Sequence, residues 1–531
     1  MKNLLDQIQK TMPEDDRKNP TIILLIELLE QQFEIIQAQK EQIQLLKDEI
    51  ARLKKQKPKP KIRPSKLSKD TDNKPSPKGS KPKKRKKTAK LKIHKEKQIA
   101  PDYIPDGSTY KGVKSYTVRG LQISAFNTRY QLEQWLTPEG KIVAGKLPAE
   151  IDGHFDNTLK SFILYQHHHC HVTQPLILEQ LQEWEVDISA CQVNRILVEN
   201  KEQFHAEKND VLNAGLNCSS YINVDDTGAR HDGRNGYCTH IGNEFFTWFE
   251  STDSKSRINF LGLLCAGRSD YILNDEAIQY MTDARLPKSP LALLEKHPEK
   301  DFADSTQWED HLQNLGISKS RHVKIATEGA LFGSVVSQIP KGLVIVSDDA
   351  GQFNILNHSL CWIHAERTLA KIIVPSTLKQ QILEDVRKQV WDYYDELKAY
   401  KKSPTEEDKI RLLEEFDDIF TQQTGFQLLN LALQRLHANK SELLLVLDRP
   451  EIPLHNNLSE NDIREYVKKR KISGSTRSEA GRRCRDTFAS LKKTCRKVGV
   501  SFWQYLNDRI SGSNSILPLP RLVEQKSASP G

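Results

Sequence analysis

The sequence predicts a multidomain α/β protein in which a coiled coil and a helical region lead into a strand-bearing core, itself interrupted by a mostly helical insertion. Three observations predict it. Residues 21–53 repeat apolar side chains every seven positions. Strand-like runs at Tyr221–Thr227, Tyr237–Ile241, Glu244–Glu250 and Gly342–Ser347 alternate with helical stretches. About 100 residues after Phe353 then carry helical periodicity alone.

The 531 residues allow two to four domains. No apolar run approaches the ~20 residues of a membrane span; the densest, Ile22 to Leu29, contains Glu27. The N-terminus lacks the order of a signal peptide. An intracellular protein without membrane contact is expected. Eight cysteines without a C-x-x-C pair argue against a disulfide scaffold and a four-cysteine zinc site. The net charge is +9, but Lys54 to Lys97 alone carries 20 Lys/Arg against Asp70, Asp72 and Glu96. The rest of the chain is therefore acidic, and a polyanion partner is implied for that segment.

Taken in order, residues 1–53 form an N-terminal coiled coil. Ile22, Leu29, Ile36, Ile43 and Ile50 occupy a, and Leu25, Gln32, Gln39, Leu46 and Leu53 occupy d. Ile at a with Leu at d favours a parallel pair of helices, so a homo-oligomer through residues 21–53 is expected. Residues 54–99, rich in Lys, Pro and Ser, cannot bury enough apolar surface to fold and form a disordered basic linker. Residues 100–150 read as a small β-rich module, with Tyr116–Val118, Leu121–Ile123 and Lys141–Val143 as strands. Residues 151–215 are helical. Pro175 to Trp184 is one amphipathic helix, and Ser189 N-caps another running to Glu199. Two short helices joined by a tight turn fit a helix-turn-helix, which would bring Ser189, Gln192, Asn194 and Arg195 near DNA. In the run His167-His168-His169-Cys170-His171, only His167 and His171 share a helical face, so a polar helix surface is the favoured reading.

The catalytic half begins at Tyr221. Its first strand ends in Asp225-Asp226, and Gly242-Asn243 marks a hairpin between the next two. A helix from about Ser256 follows. The continuous apolar run Gly342–Ser347 reads as a strand buried on both faces and ends in Asp348-Asp349. This order matches the ribonuclease H-like fold, in which the first and fourth strands lie side by side and a later helix delivers a third acid. That acid is Glu460, in Asn456-Asn457-Leu458-Ser459-Glu460. Strand alternation admits only one member of each doublet to the site, so Asp226 and Asp349 stand as alternates to Asp225 and Asp348.

Together these motifs resemble those of a DDE transposase of bacterial insertion sequences, closest to the insertion-sequence-sixty-six family. Val224-Asp225-Asp226-Thr227 is similar to the family's Asp-Glu-Thr, and Ser347-Asp348 to its second acid. Cys361-Trp362-Ile363-His364-Ala365-Glu366-Arg367 is similar to its Cys-Trp-x-His-x-x-Arg, and Asn456 to Glu460 to its Asn-Asn-x-x-Glu. The similarity runs from about Pro175 to Ile510. It departs in lacking the family's cysteine-rich zinc module and in having Asp226 in place of Glu. The resemblance implies that Asp225, Asp348 and Glu460 hold two Mg²⁺ (or Mn²⁺) ions for cleavage and joining of DNA. It also implies a bracing or DNA-facing role for Cys361, His364 and Arg367. Asn457, Arg464 and Lys471 are placed for phosphate or flanking DNA.

Asp225 and Asp348 are 123 residues apart, and Asp348 and Glu460 are 112. Both gaps imply inserted material. The expected organisation is a first core part at 216–355 with a subdomain near 270–320, a helical insertion at 356–450, a last core part at 451–512 and a disordered tail at 513–531. Partners would be transposon-end and target DNA, with accessory transposition proteins, in a bacterial cytoplasm or nucleoid. Two other readings compete: a catalytically inactive relic acting as a DNA-binding regulator, and a ribonuclease H-like nuclease that cuts without joining.

Overall fold

The computed structural model describes residue 32 and residues 93–148, 151, 153–374 and 376–529. The coiled coil at 1–53 and nearly all of the basic linker lie outside the described residues. Residues 93–123 belong to one structural unit and the described residues from 124 onward to another.

Residues 93–123 contain neither helix nor strand, and every side chain is exposed. The strands expected at Tyr116–Val118 and Leu121–Ile123 do not form. Among the described residues of the predicted β-rich module, the only pairing joins β1 (Gln134–Leu136) to β2 (Ile142–Ala144), antiparallel, with both strands exposed. The alternating pattern was real, but no second layer covers it, and a lone two-stranded ribbon is marginal in water.

Four helices follow: α1 (Asn157–His168), α2 (Gln174–Glu183), α3 (Ala190–Val198) and α4 (Glu202–Cys218). Asp156 caps α1 by accepting from the Leu159 amide at 2.7 Å. Ser189 and Gln192 form a reciprocal capping box on α3. Ile163, Ile177, Val193, Leu197 and Phe204 are buried in the same core as Ile222, Val224 and Ile345 of the sheet. The helical region is thus packed into the body of the protein and has no separate core.

The central sheet holds β3 (Tyr221–Gly228), β4 (Tyr237–Gly242), β5 (Thr247–Thr252), β8 (Val344–Ser347) and β9 (Asn357–Leu360), in the order β5-β4-β3-β8-β9. β3, β4 and β5 meander antiparallel, whereas β3, β8 and β9 run parallel. Between them lie α5 (Arg257–Leu264) and a module of β6 (Tyr271–Ile272), α6 (Asp275–Asp283), α7 (Lys288–Lys296), β7 (Asp301–Phe302) and α8 (Ser305–Asn314). The module has its own small core around Met281, Leu294, Phe302, Trp308 and Leu312. Helix α9 (Ser320–Val336) leads back to β8.

After β9 comes a helical layer: α10 (Trp362–Ala370), α11 (Thr377–Tyr400), α12 (Glu406–Thr421), α13 (Gln427–Ala438) and the short α14 (Lys440–Leu443) and α15 (Leu445–Asp448). Its core gathers Trp362, Tyr393, Phe416, Phe420, Phe426 and Leu433. The chain then returns to the sheet with α16 (Asn457–Ser473), α17 (Glu479–Val498) and α18 (Phe502–Ser511).

Helix α17 solves the problem of the sheet's open edge. Three side chains spaced four apart accept from the outward backbone amides of β5: Asp486 from Ser251 at 2.8 Å, Ser490 from Phe249 at 2.9 Å and Thr494 from Thr247 at 3.1 Å. An edge strand that would otherwise present free donors is closed by a helix.

The tail at 513–531 was expected to be disordered, and here the expectation fails. Residues Leu519–Ala528 form α19, with Leu519 and Val523 fully buried in the main core. Two apolar side chains four apart dock one face of this helix. The Leu519 amide donates to Glu207 at 2.9 Å.

Candidate active site

Parallel pairing of β3 with β8 matches Tyr221 to Val344, Ile222 to Ile345 and Asn223 to Val346. Asp225 and Asp348 each stand two residues beyond the last of these partners, so the two acids lie level with each other where the β3–β8 pairing ends, Asp225 within β3 and Asp348 just past β8. Glu460 lies in the first turn of α16. Burial, and then the carboxylates of Asp348, Asp226 and Glu460, push Asp225 up to about 7 against the pull of the Asp226 amide that donates to it. The three acids thus share one electrostatic environment. Among the described residues, neither Asp225 nor Asp348 forms an ion pair. The three carboxylates do not all come within 4.8 Å of one another.

The partners of the other doublet members point elsewhere. Asp226 accepts from the Thr239 hydroxyl at 2.6 Å and from the Gln352 amide at 3.0 Å. Asp349 is exposed and pairs with Arg435 of α13.

Helix α16 is fixed by its sheet-facing side. Buried Asn456, its N-cap, accepts from Asn223 at 2.9 Å and donates to the Val224 carbonyl at 2.7 Å. Its own amide donates to the Cys361 sulfur at 3.2 Å. Ser459 bonds His240 Nδ1 at 2.8 Å, and Asp462 accepts from the Thr247 hydroxyl at 2.7 Å. Asn457, Glu460, Arg464, Lys468 and Lys471 take the other side. Asn457, Arg464 and Lys471 are exposed. Lys469, in the basic run, is instead buried and donates to the His167 carbonyl at 2.7 Å.

The Cys-Trp-x-His-x-x-Arg stretch divides into two tasks. Cys361 and Trp362 brace: the Trp362 amide donates to the Leu454 carbonyl at 3.0 Å and its indole to the Leu443 carbonyl at 2.9 Å. His364 and Arg367 face the acids. Arg367 reaches Glu460 at 3.2 Å, and His364 Nε2 lies 3.9 Å from the same oxygen. Arg464 approaches the other Glu460 oxygen at 3.7 Å.

The family model described as Transposase IS66 family matches residues 319–483. An uncharacterized protein, y4jO, of Sinorhizobium fredii (strain NBRC 101917 / NGR234) is 44% identical over 320 residues, 60% of this chain and 100% of that relative. This chain belongs to the IS66 transposase family. The match spans β8, Asp348, the helical layer and Glu460; Asp225 lies before it. No helix among the described residues is long and apolar enough to cross a membrane.

The remaining candidate residues of this IS66-family chain are less uniform. In the helix pair, Ser189 and Gln192 serve the capping box, so the Gln192 side chain is held by the Ser189 amide at 2.8 Å. Asn194 accepts from Gln174 at 3.2 Å. Arg195 is exposed and loosely paired with Glu199 at 3.8 Å. The histidine run is structural: His168 stacks on Phe488 at 4.3 Å, and His167 Nδ1 meets the Val172 carbonyl at 3.0 Å.

Sequence reasoning missed Asn223, His240, Thr239, Gln352, Ser459 and Asp462 as the scaffold of the acids. Asn223 had one legible signal: it precedes Asp225 by two, on the same strand face.

Proposed function

We propose that this protein is a DDE transposase that cleaves DNA at insertion-sequence ends and joins the freed 3′ end to target DNA. The observation that carries the reading is the in-register placement of Asp225 and Asp348 just past the paired stretch of the adjacent parallel strands β3 and β8, with the Glu460 helix bolted beside them through Asn456. The strand order β5-β4-β3-β8-β9, antiparallel then parallel, supports a ribonuclease H-like core.

The residues fit a pair of hard divalent cations. The donors are carboxylate oxygens, Asp225 and Asp348 lack basic partners among the described residues, and their mutual repulsion is what a dication relieves. Asp225, Asp348 and Glu460 would hold Mg²⁺ or Mn²⁺. Such ions activate an attacking oxygen and stabilise a leaving one in an in-line displacement at phosphorus. The chain's own groups do the rest. Asn456, Ser459 and Asp462 keep Glu460 in place. Arg367 and Arg464 flank Glu460 and suit the phosphate backbone beside a scissile bond. Attack by water frees a 3′-hydroxyl at the transposon end. Attack by that hydroxyl on target DNA forms the new phosphodiester and releases the target's 3′-hydroxyl, with no covalent bond to the protein.

The test is a labelled transposon end incubated with target DNA and Mg²⁺. Joined product supports the proposal. Cutting without joining would leave a nuclease, and binding without chemistry would leave a regulator.

A further inference from the structure

We propose that the module inserted between α5 and α9 holds a structural Zn²⁺ ion on His297, Glu299 and His311, apart from the acids of the candidate active site. One ligand atom from each of the three comes within 4.8 Å of the others. His297 ends α7, Glu299 lies in the loop before β7, and His311 sits on α8. The ring centroids of His297 and His311 are 4.5 Å apart, nearly perpendicular.

A second observation marks the place as a ligand site. His311 is only 6% exposed, and its Nε2 is buried without a hydrogen-bond partner. Leaving such an atom unsatisfied is costly, so buried ring nitrogens normally find a partner. His297 is set for ligation too. Its Nδ1 accepts from the Glu299 amide at 3.2 Å and lies 3.4 Å from the Glu299 carbonyl, so the Glu299 backbone engages Nδ1, and Nε2 is the ring nitrogen that would take the ion once the ring proton shifts to Nδ1.

Two imidazoles and one carboxylate match Zn²⁺ rather than Mg²⁺, which takes oxygens. Three protein ligands leave a fourth position for water. The module needs such a tie, because its core is a dozen buried side chains and its two strands are two residues each. The ion would staple the end of α7 to α8.

The experiment uses the full-length, tag-free protein, stripped with a chelator and returned to millimolar Mg²⁺ to occupy the carboxylate site. Zn²⁺ is then titrated against a chromogenic chelator. One equivalent should bind with micromolar or tighter affinity and raise the melting temperature. His297→Ala and His311→Ala should each weaken that equivalent by roughly 100-fold or more, whereas Asp225→Asn should keep it. Co²⁺ in place of Zn²⁺ should give the visible absorption of a four- or five-coordinate nitrogen site. Because His311→Ala removes a packed ring, His297→Ala with an unchanged circular dichroism spectrum carries the decision. Failure of the wild type to bind Zn²⁺ below about 10 μM, or full retention by His297→Ala, overturns the proposal. Neither result bears on the DNA chemistry, which depends on other residues.

Discussion

At the scale of single residues, the hydrogen bonds that surround each acid separate the members of the two doublets. Asp226 is engaged by the side chains of Thr239 and Gln352, and Asp349 by Arg435, whereas Asp225 and Asp348 each accept only from a nearby backbone amide among the described residues. Asp226→Asn should therefore retain most strand transfer while Asp225→Asn loses it, a contrast that a gel assay on one DNA substrate resolves. Asn456 offers a second test. It is 1% exposed and ties Asn223 and the Val224 carbonyl to the helix that carries Glu460. Asn456→Ala should cost about 1–3 kcal/mol of stability, read from the denaturant midpoint, and should depress joining more than DNA binding. Asp225, Asp348 and Glu460 stood out as candidates in the sequence because the first two follow strand-like apolar runs and the third stands in an Asn-Asn setting. The sequence hid the role of Asn456, because an N-cap stands outside the helix and turns inward.

At the scale of elements, α16 and α17 are clamped together by charge. Glu465 meets Lys492 at 2.5 Å, Lys493 at 2.8 Å and Arg496 at 3.4 Å. Burial works against its charge, yet the hydrogen bonds and charges of Lys492 and Lys493 hold it at about 2. A carboxylate depressed in the folded state adds stability that is fully present above its ordinary value near 4.5. That stability is lost as pH falls through about 2. Glu465→Gln should therefore lower stability at neutral pH by about 2 kcal/mol at most, and the difference from wild type should shrink steadily between about pH 4.5 and pH 2 in parallel urea titrations. Trp362, buried among Tyr393, Phe416 and Phe420, anchors the helical layer to the sheet. Trp362→Ala should cost about 3–5 kcal/mol in thermal or denaturant unfolding.

The helical character of the insertion was legible because apolar periodicity over many turns leaves little choice. Asp486, Ser490 and Thr494 were not legible as partners of β5. Polar residues four apart on a helix look like a solvated face until the strand they complete is in view. Polar-apolar alternation at 116–123 failed for the opposite reason: the pattern fits a strand, but nothing packs on it.

At the scale of the whole molecule, charge and architecture divide the work. The segment Lys54 to Lys97 holds 20 Lys/Arg in a chain whose net charge is only +9. Deleting it should weaken DNA binding at low salt and flatten the plot of log affinity against log salt, because fewer counterions are released per binding event. The long gaps between the acids correspond to the inserted module and the helical layer, each with its own core. That organisation was readable from spacing, whereas the sharing of one core by the helical region and the sheet was not, since only tertiary contacts reveal which apolar faces meet. The claim on which all of this rests is that three separated acids act as one centre. Strand transfer of a labelled transposon end in Mg²⁺, comparing wild type with Glu460→Gln, tests it most directly. The account predicts joined product from the wild type and, with DNA binding and fold intact, a loss of at least about 1,000-fold in the variant. Full joining by Glu460→Gln would contradict it.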